Sequence, residues 1–281
     1  MKKKERIAEI LFFAGALFSV LSVLLICLFL FINAIPTIAE IGPFKFLLGT
    51  KWKPSSDIYG ILPMILASVY VTALSILFGV PLGILSAVYM AFFCPKRIYK
   101  ILRSAVELLA GIPSIVYGFF GLMVIVPFMQ HLFGGSGKSM LTASVLLALM
   151  ILPTIITVSE NSLRSVDPAL MSGALSLGDT KEKAVFRVII PAARSGILSS
   201  VILGVGRSIG ETMAVIMIAG NQAVMPSSIL KGVRTMTANI VLEMGYAADL
   251  HRQALIATGA VLFVFILIIN LAFSALSRRR K

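Results

Sequence analysis

The sequence has 281 residues, of which 58% are hydrophobic and only 13% are charged, with a mean hydropathy of +1.00. Because soluble domains carry about 25% charged residues, this composition excludes a soluble enzyme and predicts an all-α polytopic membrane protein in a lipid bilayer. The net charge of +13 does not indicate nucleic acid as a partner, since the basic residues lie in short clusters between apolar runs.

The first half of the sequence predicts four membrane spans. The first apolar run follows a basic N-terminus and is longer than the apolar part of a signal peptide, so it predicts an uncleaved span. A polar loop follows over residues 36–60. The second span is long and contains Pro81, where we expect a kink. After it, residues 101–110 predict a short amphipathic helix at the membrane surface. The four spans cover residues 10–33, 62–93, 115–129 and 141–158.

The second half begins with a polar segment over residues 160–194. Asp167 before a proline predicts a helix start, and Gly178 predicts the end of that helix. The capping box at residues 179–182 predicts a second short helix, which Pro191 closes. Later apolar runs predict a fifth span, an external loop with a helical stretch, and a sixth span. The fifth span covers residues 197–219 and the sixth covers residues 254–275. The external loop between them covers residues 221–252, and its helical stretch lies at about 235–246.

The distribution of basic residues predicts the orientation. Of the 25 lysines and arginines, 17 fall in segments on the side of both termini and 7 fall in the opposite loops, which makes the side of the termini cytoplasmic. We therefore predict a single transmembrane domain over residues 1–281. Its first span lies within residues 1–33, and a five-helix core occupies residues 62–276, with the cytoplasmic loop at 160–194 and the external loop at 221–252.

The fifth span contains a charged pair. Arg207 lies near its middle, where a charge costs about 3 kcal/mol or more on insertion scales, and Glu211 follows on the same face of a helix. Gly206 and Gly210 have the spacing at which helices approach closely. Because ionisable residues inside a membrane mark transport paths, we interpret this stretch as an anion-handling site. The alternative is a self-neutralising pair that only lets the helix insert.

The sequence indicates neither an enzyme nor a metal site. We find no nucleophile–base–acid set, and the two histidines and two cysteines have no ligand spacing. Residues 134–139 look like a nucleotide-binding loop, but Leu132 stands where that loop requires its first glycine. We therefore predict no catalytic residues, no metal and no cofactor, and we expect any energy source to lie in other subunits.

Part of the polar segment resembles the coupling motif of ABC-importer permeases. Gly178 and Pro191 match that motif in identity and spacing, and Ala174 keeps one of its alanines. Val188 and Ile190 are apolar equivalents. Ser172 and Gly173 depart from the motif, since they replace Glu and Ala. The resemblance implies that this segment docks onto a cytoplasmic ATPase.

Four further stretches resemble the PstC-type membrane subunit of bacterial phosphate importers, at residues 59–64, 80–83, 110–118 and 206–213. The resemblance implies a six-span permease of the type I ABC importer fold in the bacterial inner membrane. It also implies a heterodimer with a PstA-like permease, two ATP-binding subunits, and an external phosphate-binding protein. Arg207 and Glu211 match the residues tied to phosphate passage in that family, and Ser208 and Thr212 are weaker candidates.

Three hypotheses about mechanism follow. In the first, Arg207 binds phosphate and pairs with Glu211 when the path is empty, and Glu211 accepts a proton from hydrogen phosphate. In the second, residues 168–191 are the coupling element that docks into the ATPase, and the alternative is a solvated basic loop. In the third, the loop over residues 224–252 meets the loaded binding protein. Alternatives are a PstA-type sister subunit and a permease for another oxyanion, such as sulfate or molybdate. A self-contained carrier or channel and a sensory scaffold are the other classes. A carrier would not need the coupling segment, and a scaffold would not explain an arginine at the midplane.

Overall fold

The computed structural model describes residues 2–278. Within these residues the chain is helical apart from loops and one antiparallel hairpin, β1 (Trp52–Lys53) with β2 (Ile58–Tyr59). The basic residues 279–281, which the sequence assigns to the cytoplasmic C-terminus, lie outside the described residues.

The first helix, α1 (Lys2–Ile41), is much longer than the predicted span and continues through Pro36. A short helix, α2 (Pro43–Leu48), follows it. The prediction of a loop over residues 36–60 was therefore wrong for its first part, because a proline early in that stretch does not stop a helix that apolar residues continue. The apolar side chains of α1 are exposed, as expected for a surface that meets lipid, and α1 packs against the last helix through Phe31 and Phe263.

The second span is α3 (Leu62–Val88), which remains helical through Pro81 and ends in a π-helical turn, Tyr89–Phe93. The amphipathic helix that follows, α4 (Lys96–Gly111), confirms the prediction and begins five residues earlier than expected. The third span consists of α5 (Ser114–Phe120), a π-helical turn and α6 (Val126–Phe133). The fourth, α7 (Met140–Arg164), extends into the segment that the sequence assigns to the cytoplasmic loop.

Two short helices follow α7, as predicted, but their ends differ in detail. Asp167 caps α8 (Pro168–Ser176) by accepting from the Ala169 N–H at 2.8 Å. The cap of α9 (Lys181–Ala184) is Thr180 and not Asp179. The chain stays helical through a π-helical turn (Val185–Ile189) and α10 (Ile190–Ala192), and this continuous helix ends one residue after Pro191, as predicted. The next helix begins after a bend of 70°.

The predicted fifth span is interrupted. It consists of α11 (Arg194–Gly210) and α12 (Met213–Ile218), with Glu211 and Thr212 outside both helices. The external loop contains α13 (Met236–Met244) as predicted, and α14 (Asp249–Arg278) forms the last span. Among the described residues, five helices are long and apolar enough to cross a membrane, or six if the bent segment from Lys181 to Gly210 counts as one.

Helix α3 packs along α7, and α11 packs against both. Two glycines of α3 explain how closely α3 and α7 approach. A Cβ at Gly79 would lie 2.8 Å from Ile151 Cδ1, and one at Gly83 would lie 2.6 Å from Ile155 Cγ2. The glycines before and after Pro81 therefore serve packing, since even a methyl group would separate the two helices.

The bundle has two different ends. One, the hairpin end, holds β1, β2, α13 and the start of α14, which share a buried cluster around Trp52 and Leu255. The other, the α8–α10 end, holds the end of α3, the end of α7 and α8–α10, which share a cluster around Val88, Leu163 and Ile189. The polar segment over residues 160–194, which the sequence predicts to be cytoplasmic, thus packs against the end of α3 at one end of the bundle.

Candidate functional site

The break between α11 and α12 is the centre of the candidate site. The chain turns extended at Glu211, whose φ and ψ are −68° and 128°. The prediction that Glu211 lies on the same helical face as Arg207 was wrong, because the helix ends at Gly210 between them. No hydrogen bond or ion pair joins the two side chains within residues 2–278.

The Glu211 carboxylate holds this break in place. Its Oε1 accepts from the backbone N–H groups of Thr212 and Ala214, both at 3.2 Å. Thr212 directly precedes α12 and Ala214 lies in its first turn, where N–H groups have no partner within the helix and attract negative charge. Oε2 has no hydrogen-bond partner in the described part of the chain.

Arg207 lies in the last turn of α11 and is half-buried. Across residues 2–278 its guanidinium has neither an ion-pair partner nor a hydrogen-bond acceptor. A cation is favoured at a helix C-terminus by about 0.3–1 kcal/mol, which is less than the cost of an unpaired charge in a bilayer. The surroundings in this chain alone therefore do not account for its position.

One face of α11 is open and the other is packed. The open face carries mostly small and polar residues at helical spacing, namely Ser195, Ser199, Gly206, Arg207 and Gly210, together with the exposed Leu203. A Cβ at Gly206 or Gly210 would meet no atom within 4 Å, whereas one at Gly204 would lie 3.2 Å from Ile155 Cδ1. An arginine is unsuited to lipid, and small residues allow close approach of another helix, so this face suits a polar path or a partner subunit.

The structure places Ser208 on the packed face. It is 3% exposed, and its Oγ lies 2.7 Å from Ser75 Oγ on α3. Since Ser75 donates its own hydroxyl hydrogen to the Thr72 carbonyl at 2.8 Å, Ser208 is the donor between the two serines. Ser200 makes a similar contact with Ser159 on α7 at 2.8 Å. Both pairs fasten α11 to the bundle.

Thr212 and α13 complete the break. The Thr212 hydroxyl donates to the Gly210 carbonyl at 3.1 Å. From the opposite side, the Thr237 hydroxyl donates to the Glu211 carbonyl at 3.2 Å, and the Met236 N–H donates to Ser68 Oγ at 3.0 Å. The start of α13 therefore reaches into the bundle and contacts the break directly, which the sequence did not reveal.

The segment that resembles the coupling motif forms an exposed projection at the α8–α10 end. Gly178 has a φ of +91°, which favours glycine, and its N–H donates to the Leu175 carbonyl at 3.0 Å. Leu177 beside it is 91% exposed. The motif residues divide by burial: Ala174 is buried, Val188 and Ile190 are half-buried, and Ser172, Gly173, Gly178 and Pro191 are exposed.

Two buried carboxylates were not singled out from the sequence. At the hairpin end, Glu243 is 6% exposed, accepts from Trp52 Nε1 at 2.8 Å, and pairs with Arg234 and His251. At the other end, Glu160 is fully buried and pairs with Arg164 and Arg103. The spacing of Glu160 and Arg164 is a local signal for a helical ion pair, but the other partners are distant in sequence.

Comparisons with known proteins agree on a transport family. Residues 79–281 match the family described as binding-protein-dependent transport system inner membrane component. The chain is 39% identical to the probable ABC transporter permease protein YqgH of Bacillus subtilis over 246 residues, which is 86% of this chain and 80% of that protein. It is 37% identical to the phosphate transport system permease protein PstC of Mesorhizobium japonicum over 247 residues, which is 80% of this chain and 76% of that protein.

Solved structures support the same fold. The bacterial alginate ABC transporter, in complex with a pentasaccharide-bound periplasmic protein, includes a chain that matches with a TM-score of 0.67 at 18% identity, over 96% of this chain and 94% of that one. An inward-facing MetNI methionine ABC transporter includes a chain that matches with a TM-score of 0.65 at 18% identity, over 82% of this chain and 100% of that one.

Proposed function

Because the chain belongs to the family of binding-protein-dependent transport system inner membrane components, we propose that it forms half of the phosphate path of an ATP-driven importer. The chain is a multi-pass membrane permease with the type I ABC importer fold and is a transport subunit, not an enzyme. Such permeases work with a partner permease, ATPase subunits and a substrate-binding protein. In this proposal the partner permease is PstA-like, two ATP-binding subunits hydrolyse ATP, and an external phosphate-binding protein delivers the anion.

The observation that carries this proposal is the guanidinium of Arg207, which has no ion-pair or hydrogen-bond partner among residues 2–278 and lies beside the open face of α11. A guanidinium is permanently charged, and its planar fork matches two oxygens of a phosphate. In a cavity of low dielectric this attraction is stronger than in water. An arginine that has no protein partner and borders an open polar face is suited to a transient anionic ligand.

Glu211 has a different role from the one that the sequence suggested. Its Oε1 is engaged by the first turn of α12 and not by Arg207, so it does not serve as the resting counter-ion of the arginine. We propose that it keeps the break open next to Arg207 and that Oε2 accepts a hydrogen bond from hydrogen phosphate. Sulfate has no such hydrogen at neutral pH. Ser208 and Thr212 support the geometry of the break.

The α8–α10 end is the proposed docking site for the ATPase subunits. Ser172, Gly173 and Gly178 surround the exposed Leu177 there, and α9 and its π-helical turn attach the projection to the bundle through Val185 and Ile189. In this orientation both termini are cytoplasmic, and the hairpin end with α13 faces the external binding protein in the bacterial inner membrane.

The test is ATP-driven phosphate uptake in proteoliposomes that contain the whole complex. We expect Arg207→Ala to lower uptake about 10- to 100-fold, since a hydrogen bond to a charged group contributes about 1.5–3 kcal/mol, while the complex still assembles. Arg97→Ala is the matched control, because Arg97 is exposed at the start of α4 and has no role in the proposed path. Normal uptake by Arg207→Ala would remove the proposed path, and equal competition by sulfate or molybdate would remove phosphate as the substrate.

A further inference from the structure

Glu160 is the most deeply buried charged side chain at the α8–α10 end, with 0% exposure. It lies one turn before the end of α7. Its Oε1 accepts from Arg164 Nε at 2.8 Å, and its Oε2 lies 3.3 Å from Arg103 Nη1 on α4. A buried carboxylate is tolerated only when it is paired, and this one joins two helices that are far apart in sequence.

The arginines extend this contact to a third helix. Arg164 Nη2 donates to the Met90 carbonyl at 2.9 Å, in the π-helical turn that ends α3, and its guanidinium stacks 4.9 Å from the centre of the Tyr99 ring on α4. Glu160 raises the pKa of the Tyr99 phenol, chiefly through a side-chain hydrogen bond. The Glu160 network, defined as Glu160, Arg164, Arg103 and Tyr99, therefore connects α3, α4 and α7.

The same π-helical turn receives a second cation, which comes from α9. Lys181 Nζ donates to the Phe92 carbonyl and lies 5.2 Å from the centre of the Phe93 ring. The last carbonyls of a helix have no partner within the helix and carry partial negative charge, so they attract cations. Arg164 and Lys181 thus cap one helix end from two sides, one from α7 and the other from the projection.

From this geometry we infer that the Glu160 network is a positioning device for coupled transport, linked to the ATPase docking segment through Lys181. This inference rests on the proposed docking of ATPase subunits at the α8–α10 end. When an ATPase displaces α9, Lys181 pulls on the end of α3. Because Glu160 and its arginines hold α3, α4 and α7 together, the three helices move as a unit and do not slide past one another.

A purely structural role would give a different result. If the ion pairs only stabilised the fold, removing them would lower the amount of assembled complex and leave unchanged the number of anions moved per ATP hydrolysed. The informative quantity is therefore that ratio, measured on assembled complex. Lys181 is exposed, so its substitution tests the connection without emptying a buried site.

The experiment compares paired variants of the reconstituted whole complex by phosphate uptake and ATP hydrolysis. Lys181→Met is matched by Lys183→Met, since both lysines are exposed on α9 and only Lys181 contacts α3. Glu160→Gln is matched by Glu107→Gln, since Glu107 is more than half exposed and bonds the same Arg103 at 2.7 Å. We expect Lys181→Met and Glu160→Gln each to lower the ratio at least about fivefold, the smaller end of measured coupling effects.

The controls should keep the wild-type ratio, and Lys181→Arg should restore it. A wild-type ratio in either Lys181→Met or Glu160→Gln overturns the inference. If Glu160→Gln does not assemble, Arg103→Leu replaces it, since Glu160 then keeps its contact with Arg164. If the wild-type complex itself hydrolyses ATP without moving phosphate, the proposed function is contradicted. That result differs from a wild-type ratio in the variants, which contradicts only the coupling inference.

Discussion

Arg207 and Glu160 lie on adjacent helices, α11 and α7, and their surroundings are opposite. Among residues 2–278, Arg207 has no side-chain partner and borders an open face, whereas Glu160 is fully buried between two arginines. Removing a charge from water costs several kcal/mol unless another charge or hydrogen bonds replace the water. Glu160 satisfies that requirement inside this chain. Arg207 requires a counter-charge or a hydrogen-bond acceptor that residues 2–278 do not supply.

The same contrast appears in the packing around each charge. Glu160 lies next to the close contact of α3 with α7, where a Cβ at Gly83 would clash with Ile155. Arg207 lies next to Gly206 and Gly210, where a Cβ would meet open space. Tight packing suits a part that transmits movement, and an open face suits a part that binds a passing solute. The two regions therefore provide separate ways to damage transport.

The largest effect that would sharpen this comparison is expected at Gly178. Gly178→Pro forces φ from +91° to about −65° and removes the N–H that bonds Leu175, so the projection loses its shape. We expect membrane insertion to persist while phosphate moved per ATP falls at least about tenfold, within the range of about 5- to 150-fold that typical coupling energies imply. Gly134→Pro is the control, since Gly134 also has a positive φ, of 74°, but lies outside α8–α10. Unchanged coupling in Gly178→Pro would show that the projection is only a solvated loop.

A second prediction separates the open face from the packed face of α11. Gly206→Leu fills open space, so we expect normal assembly with uptake reduced about tenfold, comparable to losing one charge-assisted contact. Gly204→Leu pushes against Ile155, so we expect a loss of about 1–3 kcal/mol in stability. Thermal unfolding in detergent and uptake per assembled complex measure the two effects. If Gly206→Leu prevents binding of the partner permease, the open face is a subunit interface and not the path.

The smallest expected effect concerns the serine pair between α3 and α11. Ser75→Ala leaves the buried Ser208 hydroxyl without its acceptor and should cost about 1–3 kcal/mol. Ser208→Ala leaves Ser75 bonded to Thr72 and should cost only about 0.5–1.5 kcal/mol. Melting temperatures measure this order, and uptake per complex should be normal in both. Reduced uptake by stable Ser208→Ala complex would instead place Ser208 in the anion path.

Local patterns in the sequence predicted much of the architecture. Apolar length located the spans, amphipathic spacing located α4, Asp167 marked the start of α8, and Gly178 marked its end. These features depend on neighbouring residues, and so a sequence motif is sufficient to recognise them. The resemblance to PstC-type permeases also came from short motifs, and the comparisons confirm it.

The errors have a common physical origin. The predicted pairing of Arg207 with Glu211 assumed a continuous helix, but the Glu211 carboxylate caps the next helix and the chain turns between them. The loop predicted after Pro36 gave too much weight to a single proline, since α1 continues to Ile41. In each case a favourable local signal was outweighed by contacts made by the whole segment.

The sequence by itself determined which residues are apolar enough to enter a membrane, where α8 begins, and that a guanidinium lies within the fifth apolar run. Only the tertiary structure decided which charges are satisfied, because Arg103 and Glu160 are 57 positions apart and meet through the packing of α4 on α7. It also decided that Ser208 faces α3 while Arg207 borders open space. The free energy of a charge in a membrane depends on what surrounds it in three dimensions, and neighbours in sequence do not specify that.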